Sequence, residues 1–286
     1  MTKELGALFV VATPIGNLGD MTARAIETLR SCARVVAEDT RRTRQLLSHF
    51  AIAGKPVDRL DAHSSPRDIE RVVTWLTGGE DVALATDAGT PCVSDPGAAL
   101  VQAAAAAGVR VVPIPGASAV LSALAASGLS GDGRFRFVGF LPRDGGPRRE
   151  ALALVAATPE PVVLFESPHR VQSTLRDIAD ATPTRAACVA RELTKVHEEL
   201  CRGTCLDLAT DGREWIGEIV VVLGAHSPDD RQAAVDDAAL DARIDHGLSL
   251  GEHARTVAER LAAWSGRSKR DVYERVVARK NMRRNA

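Results

Sequence analysis

The chain has 286 residues, 45% of them hydrophobic and 26% charged, with a formal net charge of −1. This is the balance of a globular protein long enough for two domains, and the near-zero charge excludes a surface that is cationic throughout. No run of eighteen or more apolar residues occurs, which excludes a hydropathic membrane helix.

The opening MTKELGALFVVATPIGN carries one lysine and a short apolar run that meets a Pro-Gly turn, so it reads as a first strand and not as a secretory signal. Residues 8–12 form the continuous apolar run of a strand buried on both faces. Ala25, Ile26, Leu29 and Cys32 fall at helical spacing, with Asp20 as the expected cap. Residues 34–37 read as a second strand, followed by a polar helix from Thr40. Further strands are predicted at 82–86, 109–114, 137–140, 162–165, 186–190 and 219–223, with helical patterns between most of them. The alanine-rich run before Val109 reads as a helix stopped by Gly108. The alternation predicts an α/β fold of parallel or mixed sheets wrapped by helices.

Two prolines and a glycine at 112–116 divide the pattern into an N-terminal α/β domain, 1–114, and a second α/β domain, 115–225. An aspartate-rich linker then leads into a small C-terminal helical module, 236–286. It reads as three short helices, with Gly247, Gly251 and Gly266 as punctuation. Ala254, Val257, Ala258 and Leu261 give one helix an apolar face, and Val272, Tyr273, Val276 and Val277 give another. Residues 267–286 hold eight Lys/Arg against two acids, whereas 227–245 hold six aspartates against two arginines. Such asymmetry points to a polyanionic partner, with a solvated tail as the plainer alternative.

Five scattered cysteines without a secretory signal suggest free thiols and a cytoplasmic protein. Cys201 and Cys205 lack a second ligand pair, so they read as small core residues, and no metal site is predicted.

The residues suited to chemistry sit where strands end. Thr13-Pro14-Ile15-Gly16 follows the first strand, Asp87-Ala88-Gly89-Thr90-Pro91-Cys92-Val93 follows the strand at 82–86, and Pro115-Gly116-Ala117-Ser118-Ala119 follows the strand at 109–114. Ligands of open α/β sheets bind beyond the carboxyl ends of strands. A Gly-Pro turn alone is mostly a turn, but three on one sheet edge predict a pocket. There is no G-x-G-x-x-G after the first strand, no P-loop, no G-x-S-x-G and no second histidine for a zinc-protease helix.

The segments ATPIGNLGD, AEDTRRTR, DAGTPCVSDPG, PGASAV, GFLPR, FESPHR and ARELTKVHEE occur in this order. Together they resemble the ribosomal RNA small-subunit methyltransferase I family, a branch of the tetrapyrrole-methylase superfamily. The resemblance runs from about Leu8 to Leu223 and implies two αβα domains with S-adenosylmethionine in the cleft between them, and a homodimer. It implies 2′-O-methylation of a cytidine in the decoding region of small-subunit (16S) rRNA, with the small ribosomal subunit as partner and no membrane. By position it assigns Pro14, Asp87, Ala88, Gly89, Cys92, Val93, Ser118 and Ala119 to the cofactor, with Glu166 or Ser167 and Leu193 from the second half. Phe165 stands where tyrosine is common in the family, and Cys92 replaces a more usual aliphatic residue. A tetrapyrrole methylase would show a Gly-Gly-Asp-Pro type loop, absent here. A non-catalytic ribosome assembly factor would show damaged glycine loops, yet Gly89, Gly97 and Gly116 are in place.

Transfer of a methyl group to a ribose hydroxyl asks for alignment and for an acceptor of the hydroxyl proton. Glu38, Glu192 and Lys195, at strand ends, are the catalytic candidates, although Glu38 and Glu192 could instead pair with Arg41 or Arg191. Arginines beside phosphates are the expected RNA contacts: Arg41, Arg42 and Arg44, then Arg143, Arg148 and Arg149 around a Gly-Gly turn, then Arg267, Lys269 and Arg270 in a helix-turn-helix-like end. Dimer packing is the alternative use of that last module. His169 reads as a satisfied structural histidine.

Overall fold

The computed structural model describes residues 4–61, 63–93, 97–226, 237–265 and 267–284. The chain divides into two compact units: Met1–Ala123 with Glu192–Glu199, and Leu124–Arg191 with Leu200–Ala286.

In the first unit, strands β1 (Ala7–Val11), β2 (Arg34–Ala37), β3 (Val57–Arg59), β4 (Val82–Ala85) and β5 (Arg110–Ile114) form a parallel sheet in the order β3-β2-β4-β1-β5. Alternate residues face opposite sides, and both sides are covered. Val11, Val35, Ala83 and Ile114 meet Leu29 of α1 (Ala23–Ser31) and Leu47 of α2 (Thr40–His49). Leu8, Val36 and Leu84 meet Leu76 of α3 (Pro66–Thr77) and Leu100 of α4 (Gly97–Ala106). Double coverage is why these strands are continuous apolar runs. The cap of α1 differs from expectation: Thr22, not Asp20, accepts the Ala25 N–H at 3.1 Å, and Asp20 sits in a preceding 3-10 turn. Gly108 takes φ +73° after α4, as the stop signal requires.

The second unit holds β6 (Arg136–Phe140), β7 (Val162–Glu166), β8 (Ala186–Arg191), β9 (Glu199–Thr204) and β10 (Ile219–Leu223) in a mixed sheet of order β6-β7-β10-β8-β9. β6 and β7 are parallel, and β10 is antiparallel to both its neighbours. One face packs on α6 (Gly145–Ala157), α7 (Val171–Ala181) and α8 (Cys205–Thr210) through Leu164, Leu175, Ile178, Val189 and Val221. Cys201 and Cys205 lie in this core, and burial pushes the Cys205 thiol up to about 12. The sheet edges β3 and β9 were not predicted. In β3 only Val57 is buried, too little for a periodic signal.

The C-terminal helices are α9 (Asp237–Ser249), α10 (Ala254–Ser265) and α11 (Lys269–Arg284), around Leu240, Ile244, Val257, Leu261, Val272 and Val276. Two readings of the sequence change here. Tyr273 is 45% exposed and stands off the apolar face. Gly247 lies inside α9, where a Cβ would come 3.0 Å from Val257 Cγ2, so it permits close helix approach and does not end the helix. Gly251, at φ +76°, follows the end of α9, while Gly266 falls outside the described residues. Asp237, Asp241 and Asp245 project from α9 one turn apart and receive Arg267, Arg275 and Arg279. Part of the acidic–basic asymmetry of the sequence is therefore neutralised within the chain; most of the linker lies outside the described residues.

Candidate active site

In the first unit, β4 inserts between β1 and β2 although it follows both in sequence, so the loops at the carboxyl ends of β1, β2 and β4 open side by side. The backbones of Thr13 and Gly89 exchange hydrogen bonds of 2.9 and 3.0 Å, and the Thr13 hydroxyl donates to the Thr86 carbonyl at 3.1 Å. Gly89 sits at φ +82°, a conformation that leaves its buried carbonyl and N–H aligned with Thr13. The Thr90 hydroxyl then donates to the Ala117 carbonyl at 3.1 Å, tying in the β5 loop. These loops present short side chains outward: Gly16, Ala88 and Gly116 are exposed, and Pro14, two residues before Gly16, is half-buried. Ser118 accepts the Leu121 N–H at 3.4 Å and caps α5 (Ala119–Ser127).

The segment Glu192–Glu199 joins this unit against the β1 loop. A Cβ on Gly16 would stand 2.4 Å from Lys195 Cγ and 3.0 Å from the Leu193 carbonyl oxygen, so only glycine permits this approach. Lys195 Nζ donates to Glu192 Oε1 at 2.8 Å, and the Thr194 N–H donates to Glu198 at 2.6 Å. Leu193 is buried. Glu192 and Thr194 hold φ of +51° and +66°, and Cys92 in the β4 loop holds +72°. Left-handed backbone at non-glycine residues costs about 1–3 kcal/mol each and clusters where a site demands it.

Beyond β2 and β4 lies a polar cavity of about 450 Å³ lined by Glu38, Asp39, Arg59, Asp61, His63 and Asp87. Asp87 organises its floor, accepting the Asp39 N–H at 3.0 Å and the Arg42 guanidinium at 3.3 Å. Asp39 caps α2, and the Arg41 and Arg42 N–H groups hold its carboxyl below the usual carboxylate range. Glu38 is half-buried, with the Thr86 hydroxyl 3.5 Å from its carboxylate. Arg59, Asp61 and His63 were not anticipated in this role. Arg59 ends the three-residue strand β3 and Asp61 and His63 follow it, a strand the sequence did not signal.

Of the arginines on α2, Arg41 is exposed, Arg42 bonds Asp87, and Arg44 donates to the Val57 carbonyl at 3.2 Å and so anchors α2 to β3. In the second unit, Glu166 is 2% exposed and accepts from the Thr174 hydroxyl at 2.7 Å and from the Ser167 N–H at 2.9 Å. Arg148 donates to Thr174 and Asp177, while Arg143 and Arg149 are exposed. His169 is exposed, contrary to the expected structural role. Lys269 and Arg270 face solvent on α11, near Glu259 at 3.7 Å and Glu274 at 3.1 Å; Arg267 donates to Asp237 at 2.6 Å. Val93 is 41% exposed.

A family model for tetrapyrrole (corrin/porphyrin) methylases matches residues 7–209. A ribosomal RNA small subunit methyltransferase I of Xylella fastidiosa (strain Temecula1 / ATCC 700964) is 43% identical over 259 residues, covering 89% of this chain and 94% of that protein. The protein of the same name from Halalkalibacterium halodurans is 40% identical over 274 residues, covering 94% of each. Among solved structures, a diphthine synthase has the same fold at 18% identity, with a TM-score of 0.60 over 77% of this chain and 92% of that one. A uroporphyrin-III C-methyltransferase from Thermus thermophilus, complexed with S-adenosyl homocysteine, gives 17% and 0.54 over 77% and 97%.

Proposed function

Since the chain belongs to the ribosomal RNA small subunit methyltransferase I branch of the tetrapyrrole methylases, we infer that it methylates the 2′-hydroxyl of a cytidine in the decoding region of small-subunit rRNA. The observation that carries this reading is the bonded convergence of the β1, β4 and β5 loops beside a polar cavity holding Glu38. S-adenosylmethionine supplies an electrophilic methyl group on a sulfonium. The loops suit such a cofactor: the exposed Gly16, Ala88 and Gly116 leave backbone donors and acceptors within reach of a nucleoside and an amino acid. Cys92, Val93, Ser118, Leu193 and the Glu166–Ser167 pair complete the proposed cofactor set.

The chain's own residues divide the remaining work. A ribose hydroxyl is a weak nucleophile until an acceptor draws on its proton and fixes its direction. Glu38 is that acceptor in our reading. Glu192 and Lys195, already joined as an ion pair, provide a second acceptor and a donor held in register by the close approach at Gly16. The cavity carries four carboxylates against Arg59 and His63, a field that repels phosphate. It therefore receives the nucleoside, while Arg41, outside on α2, takes a flanking phosphate with Arg143 and Arg149. Action on an assembled or assembling subunit, by a cytoplasmic homodimer, completes the proposal.

The test is methyl transfer from tritiated cofactor to purified small subunits, naked rRNA and a tetrapyrrole precursor in parallel. Label at a 2′-O-methylcytidine is expected; label only in the pigment overturns the reading. Glu38→Gln should lower kcat by about 10²–10⁴ with cofactor binding retained.

A further inference from the structure

We propose that the cleft lined by α7, α8, α9 and α10 in the second unit is a separate ligand site, taking a carboxylate borne on an apolar body. The cavity measures about 490 Å³. Leu206, Ala209, Leu250 and Leu261 give it apolar walls.

Most of the charge around it is already committed. Arg243 donates to Asp180 at 2.7 Å and to the Ala179 carbonyl at 3.1 Å. Arg260 donates to Glu252 at 2.8 Å and lies 3.9 Å from Asp180. Asp207 caps α8, accepting the Thr204 N–H at 2.9 Å. Arg176 is left over. It lines the cavity, its Nε is shut off from solvent, and its side chain meets no hydrogen-bond or ion-pair partner among the described residues. Nε2 of His246, on the same wall, is buried and unpartnered as well.

Buried polar atoms are nearly always satisfied, and an unpaired buried N–H forfeits its hydration for nothing in return. Such orphans among the described residues of one cavity lining, Nε of Arg176 and of Arg260 and Nε2 of His246, mark where a ligand's acceptor atoms belong. The guanidinium fork matches a planar carboxylate. A single uncommitted arginine, with Asp180, Asp207 and Glu252 nearby, suits a monoanion and disfavours a dianion. The apolar walls call for the body that the carboxylate is attached to. Both a free small acid and the terminal carboxylate of a polypeptide have this chemistry.

Calorimetry on the full chain tests the site with octanoate, octanol and octylamine, and with acetyl-Leu-Leu bearing a free or an amidated terminus. Octanoate or the free-terminus peptide should bind once per chain, and whichever is tighter identifies the source; the alcohol, amine and amide should not bind. Arg176→Met should weaken binding about tenfold or more, Arg176→Lys should keep part of it, and both should retain methyl transfer and SAM binding. Because Arg176 meets no hydrogen-bond or ion-pair partner among the described residues, its replacement should leave the fold intact. Ala242→Trp, at the exposed rim, should block the cleft independently. Equal octanoate affinity in Arg176→Met, equal binding of octanol, or no binding of either acid would overturn the proposal, whatever the outcome of the methyl-transfer assay.

Discussion

Gly16→Ala would set a methyl group 2.4 Å from Lys195 Cγ, and the strained segment carrying Glu192 would have to move to admit it. Misplacement of positioning groups by about 1 Å costs on the order of 100-fold in rate. The expected outcome is a fall in kcat of about that size with a thermal transition close to wild type. A drop in stability without loss of turnover per folded molecule would count against it. The α2 arginines separate by role in the same way. Arg41→Ala should reduce the log–log salt slope of RNA binding by about 1. Arg44→Ala, which removes the bond to the Val57 carbonyl, should lower the melting temperature and leave the slope alone.

The scale of elements shows what was legible beforehand. The buried strands β1, β2, β4, β7 and β10 were readable because double coverage leaves a continuous apolar run. The edges β3 and β9 were not, since each buries a single side chain, Val57 and Cys201, too little for a periodic signal, whereas the edges β5 and β6 carry apolar runs. Part of the polar cavity followed from that gap: Glu38, Asp39 and Asp87 come just after predicted strands, while Arg59 ends the unpredicted β3 and Asp61 and His63 follow it. The left-handed backbone at Glu192 and Thr194 was equally illegible, because no residue type there announces it. Helix starts can be tested singly. Thr22→Ala should cost about 1 kcal/mol through loss of the bond to Ala25, read as a lower denaturation midpoint, whereas Asp20→Ala should be close to neutral.

For the molecule as a whole, acid should act first on the C-terminal helices. Hydrogen bonds from Arg267 and Arg275 hold the Asp237 carboxyl below its usual range, and a bond from Arg275 does the same for Asp241. A carboxyl whose folded pKa is depressed stabilises above its unfolded value of about 3.9 and loses that contribution as the pH falls through the folded pKa. Amide protection in residues 269–284 should therefore decline below about pH 4 ahead of protection in β1 and β4. Raising the salt concentration should narrow the difference. Simultaneous loss in all three places would show that the ion-pair ladder does not set the acid response.

The excursion of Glu192–Glu199 into the first unit has a genetic consequence. The chain passes between units at Leu124, returns at Glu192 and departs again at Leu200. A gene cut after Ala123 would encode every strand of the parallel sheet yet omit the peptide that packs on Gly16. Neither half can be inherited, swapped or expressed as one uninterrupted reading frame without leaving part of itself in the other. Recombination between relatives should accordingly tolerate breakpoints near the C-terminal helices far better than breakpoints between residues 124 and 199.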